Sequence, residues 1–260
     1  MRISVVVPSY NDASMLEQCL TALDQQTRTP DEVIVVDNGS ADTTVEVALA
    51  HGARVVSEPR RGIPQATWAG FDAAQGDVLG RLDADSVPPS GWVARVLHAF
   101  ESDPGLDAIS GPGRFYGKSG FTHWAAEHLY IGAYTTLIPF AFGHEVLFGS
   151  NFALRASTAR ELRERVHRND RDLHDDLDIT INLRPGMGVR WDEHLAVGVS
   201  ARPFDSFPRF GRVLTMAFRT FAVNYREESF WTRRRAWMAA RHAVGLPAAD
   251  EIDGLETLGR

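Results

Sequence analysis

Two residue types are nearly missing from this chain of 260 residues. Cys19 is its single cysteine, and Lys118 is the single lysine among 27 basic residues, the other 26 being arginine. One thiol permits neither a disulfide framework nor a thiolate metal site, so a reducing compartment suits the chain. The arginine bias by itself reflects nothing more specific than genome composition. Guanidinium forks gain meaning only where position sets them against phosphate or carboxylate. Long apolar runs are also lacking. The longest uncharged stretch, residues 129–143, contains Pro139 and falls short of the ~20 apolar residues a spanning helix needs. Met1-Arg2-Ile3 leads straight into a strand pattern with no signal peptide ahead of it, so the expectation is a cytoplasmic protein without a transmembrane segment. A surplus of positive charge is absent as well: the net charge is −7, which argues against a nucleic-acid partner. No internal repeat or low-complexity linker interrupts the pattern. What remains, 44% hydrophobic and 23% charged residues, is the composition of a globular chain with one continuous core.

The first hundred residues alternate apolar runs with helical spacing. Residues 3–7, 33–36, 54–57 and 78–82 read as strands, and 13–25, 43–51 and 63–74 as helices. Asn11 or Asp12 is the expected N-cap of the first helix. Alternation of this kind with continuous apolar strands predicts an α/β fold with a mainly parallel sheet flanked by helices. Ligands in such sheets sit beyond the carboxyl ends of the strands, at the point where strand order reverses. Asn11-Asp12, Asp37 and Asp83-Ala84-Asp85 all stand at those ends, so three separate βα units converge on one crevice. Two carboxylates one residue apart can reach the same divalent cation and a ribose beside it. In isolation a capping turn is the better reading of the spacing, since Ser86-Val87-Pro88-Pro89 follows it.

Three segments together carry a resemblance. Ser4-Val5-Val6-Val7-Pro8-Ser9-Tyr10-Asn11-Asp12, then Val33-Ile34-Val35-Val36-Asp37-Asn38-Gly39-Ser40-Ala41-Asp42, then Leu82-Asp83-Ala84-Asp85 resemble, in order and spacing, the opening of the family-2 glycosyltransferases. The likeness runs to about residue 190. It implies a GT-A (Rossmann-like) fold: a domain over 1–205, with a nucleotide-sugar-binding half (1–105) and an acceptor-binding half (106–205), then a helical extension over 206–260. It implies that Pro8, Tyr10 and Asp12 surround the base and ribose, that Asp37 binds base or ribose, and that Asp83 and Asp85 form the Asp-x-Asp pair. Asp85 is then the main ligand of Mn2+ or Mg2+, and Asp83 lies towards the ribose. One departure is Trp68, where the family carries asparagine; Arg61 and Gln65 are the substitutes expected to contact the donor.

The cluster His174-Asp175-Asp176-Leu177-Asp178 is a second constellation. Glycosyl transfer needs a base for the acceptor hydroxyl, and crowded carboxylates suit that role. Acids at a helix start are also simply favoured by its dipole. The cluster resembles the family's Glu-Asp-x-Asp motif, which makes Asp176 the candidate base, Asp175 its neighbour or an acceptor contact, and Asp178 an acceptor contact. Further along, His194 is a candidate third metal ligand or diphosphate contact. Arg202 is placed to close over the diphosphate. Gly149-Ser150-Asn151 resembles the acceptor-side strand, with Asn151 a sugar contact.

The remaining segments are a helical pattern over 123–137 and a basic tail. In the tail Phe210, Val213, Leu214, Ala217, Phe218, Phe221, Ala222 and Tyr225 form one apolar stripe, and nine arginines between 201 and 241 face Asp205, Glu227 and Glu228. The tail has three readings: a helix packed on the domain, an interfacial helix against anionic lipid, or a homodimer contact. The implied activity is transfer of a sugar from a UDP, GDP or dTDP donor to a sugar, lipid-linked or small-molecule acceptor, by inverting displacement. A retaining enzyme making a small glycosylated solute and a non-catalytic sugar-nucleotide-binding module are the other readings. A nucleotidyltransferase is disfavoured, because Val7-Pro8-Ser9-Tyr10 lacks a glycine-rich loop. A chain of this character would work in the cytoplasm, free or at the inner face of the plasma membrane.

Overall fold

β1 (Ile3–Ser9) buries Ile3, Val5, Val6 and Val7 alike. A strand apolar on both faces needs neighbours on both sides and cover above and below. The computed structural model, which describes residues 1–116, 139, 142–202 and 207–243, supplies them. β2 (Glu32–Asp37) and β4 (Val78–Leu82) flank β1 in parallel, and β3 (Arg54–Ser57) pairs outside β2. Helices α1 (Ala13–Asp24), α2 (Thr44–Ala50), α3 (Ile63–Ala73) and α4 (Trp92–Ser102) make the crossovers. α3 lies so close to the sheet that a Cβ on Gly70 would run into Val6 and Val36, which is why a glycine stands at the contact.

The sheet continues through β7 (Asn151–Arg155), β5 (Leu106–Ser110) and β8 (Gly188–Trp191), giving the order β3-β2-β1-β4-β7-β5-β8. β7 is antiparallel to both its neighbours, so the sheet is mixed on this side rather than parallel throughout. Of the Gly149-Ser150-Asn151 segment, only Asn151 belongs to β7, which begins there. Leu82 pairs with Asn151, and that register brings Gly149 and Ser150 alongside Asp83. A two-stranded sheet of β6 (Gly113–Tyr116) and β9 (Val197–Ser200) lies beside it; β6 opens on Gly111-Pro112-Gly113, turn-forming residues that hide the strand from local patterning. Strand order reverses beside β1, between β2 and β4, and the acids Asp12, Asp37, Asp83 and Asp85 follow these three strands.

The later helices are α5 (Ala156–Leu162), α6 (Asp175–Asn182), α7 (Phe207–Glu227) and α8 (Phe230–Ala243). α7 fastens α6 to the body. Thr220 Oγ accepts the His174 N–H at 3.0 Å, and Asn224 Nδ2 donates to Asp178 at 2.7 Å. Ala217, Phe221, Tyr225 and Phe230 pack against the main core, and Trp237 is buried with its ring stacked on His144. The expected single stripe is therefore split. One side is packed, while Leu214, Phe218 and Trp231 are exposed, Phe218 by 71%. Among the described residues no helix is long and apolar enough to cross a membrane. The helix expected over 123–137 lies outside the described residues.

Candidate active site

The chain turns out of β1 through Asn11, whose positive φ of 48° is tolerated by asparagine better than by most residues. Asn11 Oδ1 accepts the Ala41 N–H at 2.7 Å, which ties this turn to the one after β2. Asp12 then stands at the N-cap position of α1 but makes no side-chain cap. Its carboxylate instead takes both terminal nitrogens of Arg202, at 2.7 and 2.6 Å. A capping acid withheld from its helix and spent on a distant arginine marks a functional position. Tyr10, half exposed, lies under the guanidinium of Arg61, 3.0 Å from the ring centroid, and Arg61 also donates to the Asn38 carbonyl at 2.7 Å.

Tyr10, Asp12 and Arg202 line a crevice with Pro8, Ser9, Asn38, Ile63, Ala66 and Asp83-Ala84-Asp85. The Ser9 hydroxyl in its wall is buried and has no partner, the kind of orphaned group a bound polar ligand would satisfy. Asp37 is set back: it accepts the Ser40 N–H at 2.9 Å and closes the turn, while its neighbour Asn38 lines the crevice. Trp68, at the departure from the family pattern, is buried in the second core cluster, edge-on to Phe71. Of its two expected substitutes, Arg61 stacks at the crevice, whereas Gln65 is buried outside its lining.

Asp83 and Asp85 also line a second cavity, with Arg81, Phe148, Gly149, Ser150, His174, Asp175 and Asp176. The Asp-x-Asp pair is thus the wall between two spaces. Asp83 has a protein partner on each oxygen and acceptor capacity to spare: Oδ1 pairs with Arg81 at 2.7 Å and Oδ2 accepts the Ser150 hydroxyl at 2.5 Å. Asp85 gives one oxygen to Arg202 at 2.9 Å, and its backbone carbonyl is held by the Tyr116 hydroxyl of β6 at 2.8 Å. Burial, and then the neighbouring charge of Asp83, push the Asp85 carboxyl up to about 6 against the lowering effect of Arg202.

Hard carboxylate oxygens suit Mn2+ or Mg2+, and a guanidinium already drawn to Asp85 and Asp12 marks this as a point that collects positive charge. Asp85 fits a metal better than Asp83, each of whose oxygens already holds a protein partner. Among the described residues no three His, Cys, Asp or Glu side chains gather into a group able to hold an ion. His194, expected as a third ligand, is instead exposed in the β8–β9 loop, its N–H on Asp192 and its ring outside both cavities. Further ligands would have to come from the diphosphate and water.

Across the second cavity Asp176 accepts the Gly149 N–H on Oδ2 and its own helix's Leu177 N–H on Oδ1, both at 2.8 Å. Gly149 is required there, since a Cβ would meet Asp176 Oδ2 at 2.8 Å. Asp175 is buried against the Thr67 hydroxyl (2.7 Å) and Arg81 (3.2 Å). His174 lines the same cavity, its Nε2 on the Val213 carbonyl at 3.0 Å. The two expected acceptor contacts are corrected. Asn151 is buried, accepting from the Trp92 indole N–H and donating to the Leu195 carbonyl. Asp178 is buried on the far side of α6, satisfied by His167, Asn182 and Asn224. Both are saturated inside the protein and present nothing to an acceptor. Arg81, which the sequence did not single out, and Ser150 and His174, which it placed in motifs without a role of their own, stand in the cavity wall instead.

The fold and this two-sided carboxylate wall define the GT-A class of nucleotide-sugar-binding α/β proteins. The model of glycosyl transferase family 2 matches residues 4–164, more than half of the sequence, and the chain belongs to that family. It is 33% identical over 133 residues to glycosyltransferase AglE of Haloferax volcanii, covering 48% of this chain and 43% of that one. It is 37% identical over 109 residues to an uncharacterized glycosyltransferase of Mycobacterium tuberculosis, Rv0539, covering 42% and 47%. The chain thus spans under half the length of these curated relatives. Among solved structures, the mannosyltransferase PcManGT of Pyrobaculum calidifontis, in complex with GDP-Man and Mn2+, has a TM-score of 0.61 at 20% identity, covering 99% of this chain and 80% of that one. Staphylococcus aureus TarS 1–349 with UDP-GlcNAc gives 0.63 at 14%, covering 94% and 73%. These likenesses establish the fold.

Proposed function

We propose that the protein is a metal-dependent glycosyltransferase that moves a sugar from a nucleoside-diphosphate sugar to an acceptor hydroxyl, with inversion. The observation that carries this reading is the placement of Asp83 and Asp85 in a wall common to two cavities, with Asp176 facing that wall from the second. The crevice of Pro8, Ser9, Tyr10 and Asp12 takes the nucleoside, Asp83 the ribose, and Arg202 the diphosphate once it leaves Asp12. GDP-Man with Mn2+ in PcManGT and UDP-GlcNAc in TarS support a nucleoside-diphosphate sugar as donor, with UDP, GDP and dTDP as the carriers to test. Asp85 would hold a Mn2+ or Mg2+ ion, which would supply charge neutralisation for the departing diphosphate. Asp176, fixed by two backbone N–H groups, takes the proton of the acceptor hydroxyl as it attacks the anomeric carbon.

Leu214, Phe218 and Trp231 are exposed on helices that also expose Arg212, Arg226 and Arg235, which supports contact with an anionic lipid surface and hence a lipid-linked or membrane-proximal acceptor. Co-sedimentation with anionic vesicles that survives Phe218→Ala/Trp231→Ala would remove that part. The main reading is tested by thermal shift with UDP, GDP and dTDP, each with and without Mn2+. A Mn2+-dependent shift confined to one base identifies the donor. Proton NMR of the product's anomeric centre then decides the stereochemistry: an inverted centre supports Asp176 as base, and a retained one overturns it.

A further inference from the structure

β4 runs Val78-Leu79-Gly80-Arg81-Leu82 through the middle of the sheet, hydrogen-bonded to β1 on one side and β7 on the other. Side chains alternate along a strand, so Leu79, Arg81 and Asp83 share a face. Leu79 is core, and an apolar residue is what the next position on that face calls for. The chain has an arginine there, its side chain 2% exposed. Removing a guanidinium from water is costly, and even a well-paired buried ion pair is poor evidence of added stability. The Arg81 Nε, moreover, is buried without a partner, a further cost. The fork is aimed at something other than its own solvation.

Its contacts join the two sides of the site. Nη1 pairs with Asp83 Oδ1 at 2.7 Å and also donates to the Gly149 carbonyl, while Nη2 meets Asp175 Oδ2 at 3.2 Å. Asp83 belongs to the wall of the donor crevice, and Asp175 opens the helix that carries Asp176. Gly149, gripped through its carbonyl, gives its N–H to Asp176. We propose that Arg81 is a positioning residue that couples the donor-side carboxylate Asp83 to helix α6, so that occupancy of the nucleotide crevice sets the placement of Asp176. This rests on the glycosyltransferase reading above. Lysine cannot replace the fork, because one ammonium cannot hold two carboxylates and a carbonyl in fixed directions.

The test is hydrogen exchange of the α6 amides, with and without the nucleoside diphosphate plus Mn2+ selected by the thermal-shift panel. In the wild type, nucleotide binding slows exchange over Asp175–Asn182. In Arg81→Lys, calorimetry gives a nucleotide dissociation constant within about threefold of wild type, yet protection of α6 no longer follows binding. Turnover falls by about a hundredfold, the scale of a small misplacement of a reacting group, while KM for the donor stays nearly unchanged. A purely structural role would speed α6 exchange equally in the free and bound forms, and that result overturns the proposal. If Arg81→Lys does not fold, Asp175→Asn, which can keep the Thr67 contact but removes the α6 charge that Arg81 pairs with, must show the same uncoupling. Nucleotide-linked protection intact in either folded variant refutes the assignment. No nucleotide shift in the wild type would bring down the donor reading and this inference with it. A shift with Arg81→Lys behaving as wild type removes the inference alone.

Discussion

Two arginines flank the Asp83–Asp85 pair, each bridging two carboxylates, and they differ in almost everything except chemistry. Arg81 lies in a central strand, 2% exposed, and holds Asp83 and Asp175. Arg202 lies beyond β9, 41% exposed, and holds Asp12 and Asp85. Burial decides what each can be. Arg81 and Asp175 are enclosed by protein and cannot separate without stranding charges in the interior, so Arg81 is a fixture even though Asp83, at its other end, is 35% exposed. A half-exposed bridge is worth ~1 kcal/mol or less and its carboxylates can be handed to another cation, so Arg202 is exchangeable. A single acidic motif is thereby served by a permanent counter-charge behind and a replaceable one in front.

The largest expected contrast is in stability. Arg81→Met leaves Asp83 and Asp175 without their cation, and removal of one partner from a buried pair costs about 3–5 kcal/mol. Arg202→Met should cost about 1 kcal/mol or less. Urea unfolding of the two variants measures both, and equal losses would break the distinction between fixture and latch. Next in size is chemistry. Asp176→Asn keeps the shape of the side chain and, through its one oxygen, one of the two backbone N–H contacts, but cannot accept a proton; the turnover number should fall about 10²- to 10⁴-fold with nucleotide affinity preserved. Transfer at the wild-type rate would show that the cavity behind Arg81 is not where the acceptor is activated.

A smaller and opposite effect is expected in front. Arg202→Met removes the internal cation from Asp85 and Asp12, so Mn2+ binding in the absence of nucleotide should tighten by up to about fivefold, the equivalent of an exposed ion pair. Binding of the donor with the metal should weaken, because the arginine is then missing from the diphosphate. Calorimetry with Mn2+ alone and with the full donor separates the two. Tightening in both titrations would mean that Arg202 only obstructs.

The front of the site was far more legible in the sequence than the back. Asp12, Asp83 and Asp85 stand at strand ends, where alternation of apolar runs with helical spacing predicts a crevice. The back depended on directions that residue type does not carry. Asp178 is two residues from Asp176, and positions i and i+2 lie about 200° apart round a helix. If Asp176 faces the cavity, Asp178 must face the core, and helical geometry alone could have excluded it. Asn151 pairs with Leu82 in the sheet interior, and only the antiparallel insertion of β7, invisible in local patterning, puts it there. Arg81 did leave a signal, a charged residue inside an apolar strand, which calls for a buried partner; its partners, Asp175 and Gly149, are too distant in sequence to be named beforehand.

The finest division between the two bridges is in proton affinity. Burial and the charge of Asp83 raise the Asp85 carboxyl from 3.8 to about 6. A carboxyl raised on folding penalises the folded state as pH climbs from its unfolded value through its folded one, so the unliganded protein loses a little stability over about pH 4 to 6 from this group. Metal needs the ionised form, so the sign reverses for binding: the Mn2+-dependent nucleotide shift should be full above pH 6 and fade as pH falls through it. Arg202 lowers the Asp85 value, and its removal must therefore move that midpoint upward. Thermal shift with nucleotide and Mn2+ from pH 5 to 8, in wild type and Arg202→Met, reads both midpoints. An unmoved midpoint would show that Arg202 does not hold Asp85 in solution, and would leave Arg81 as the only arginine serving the pair.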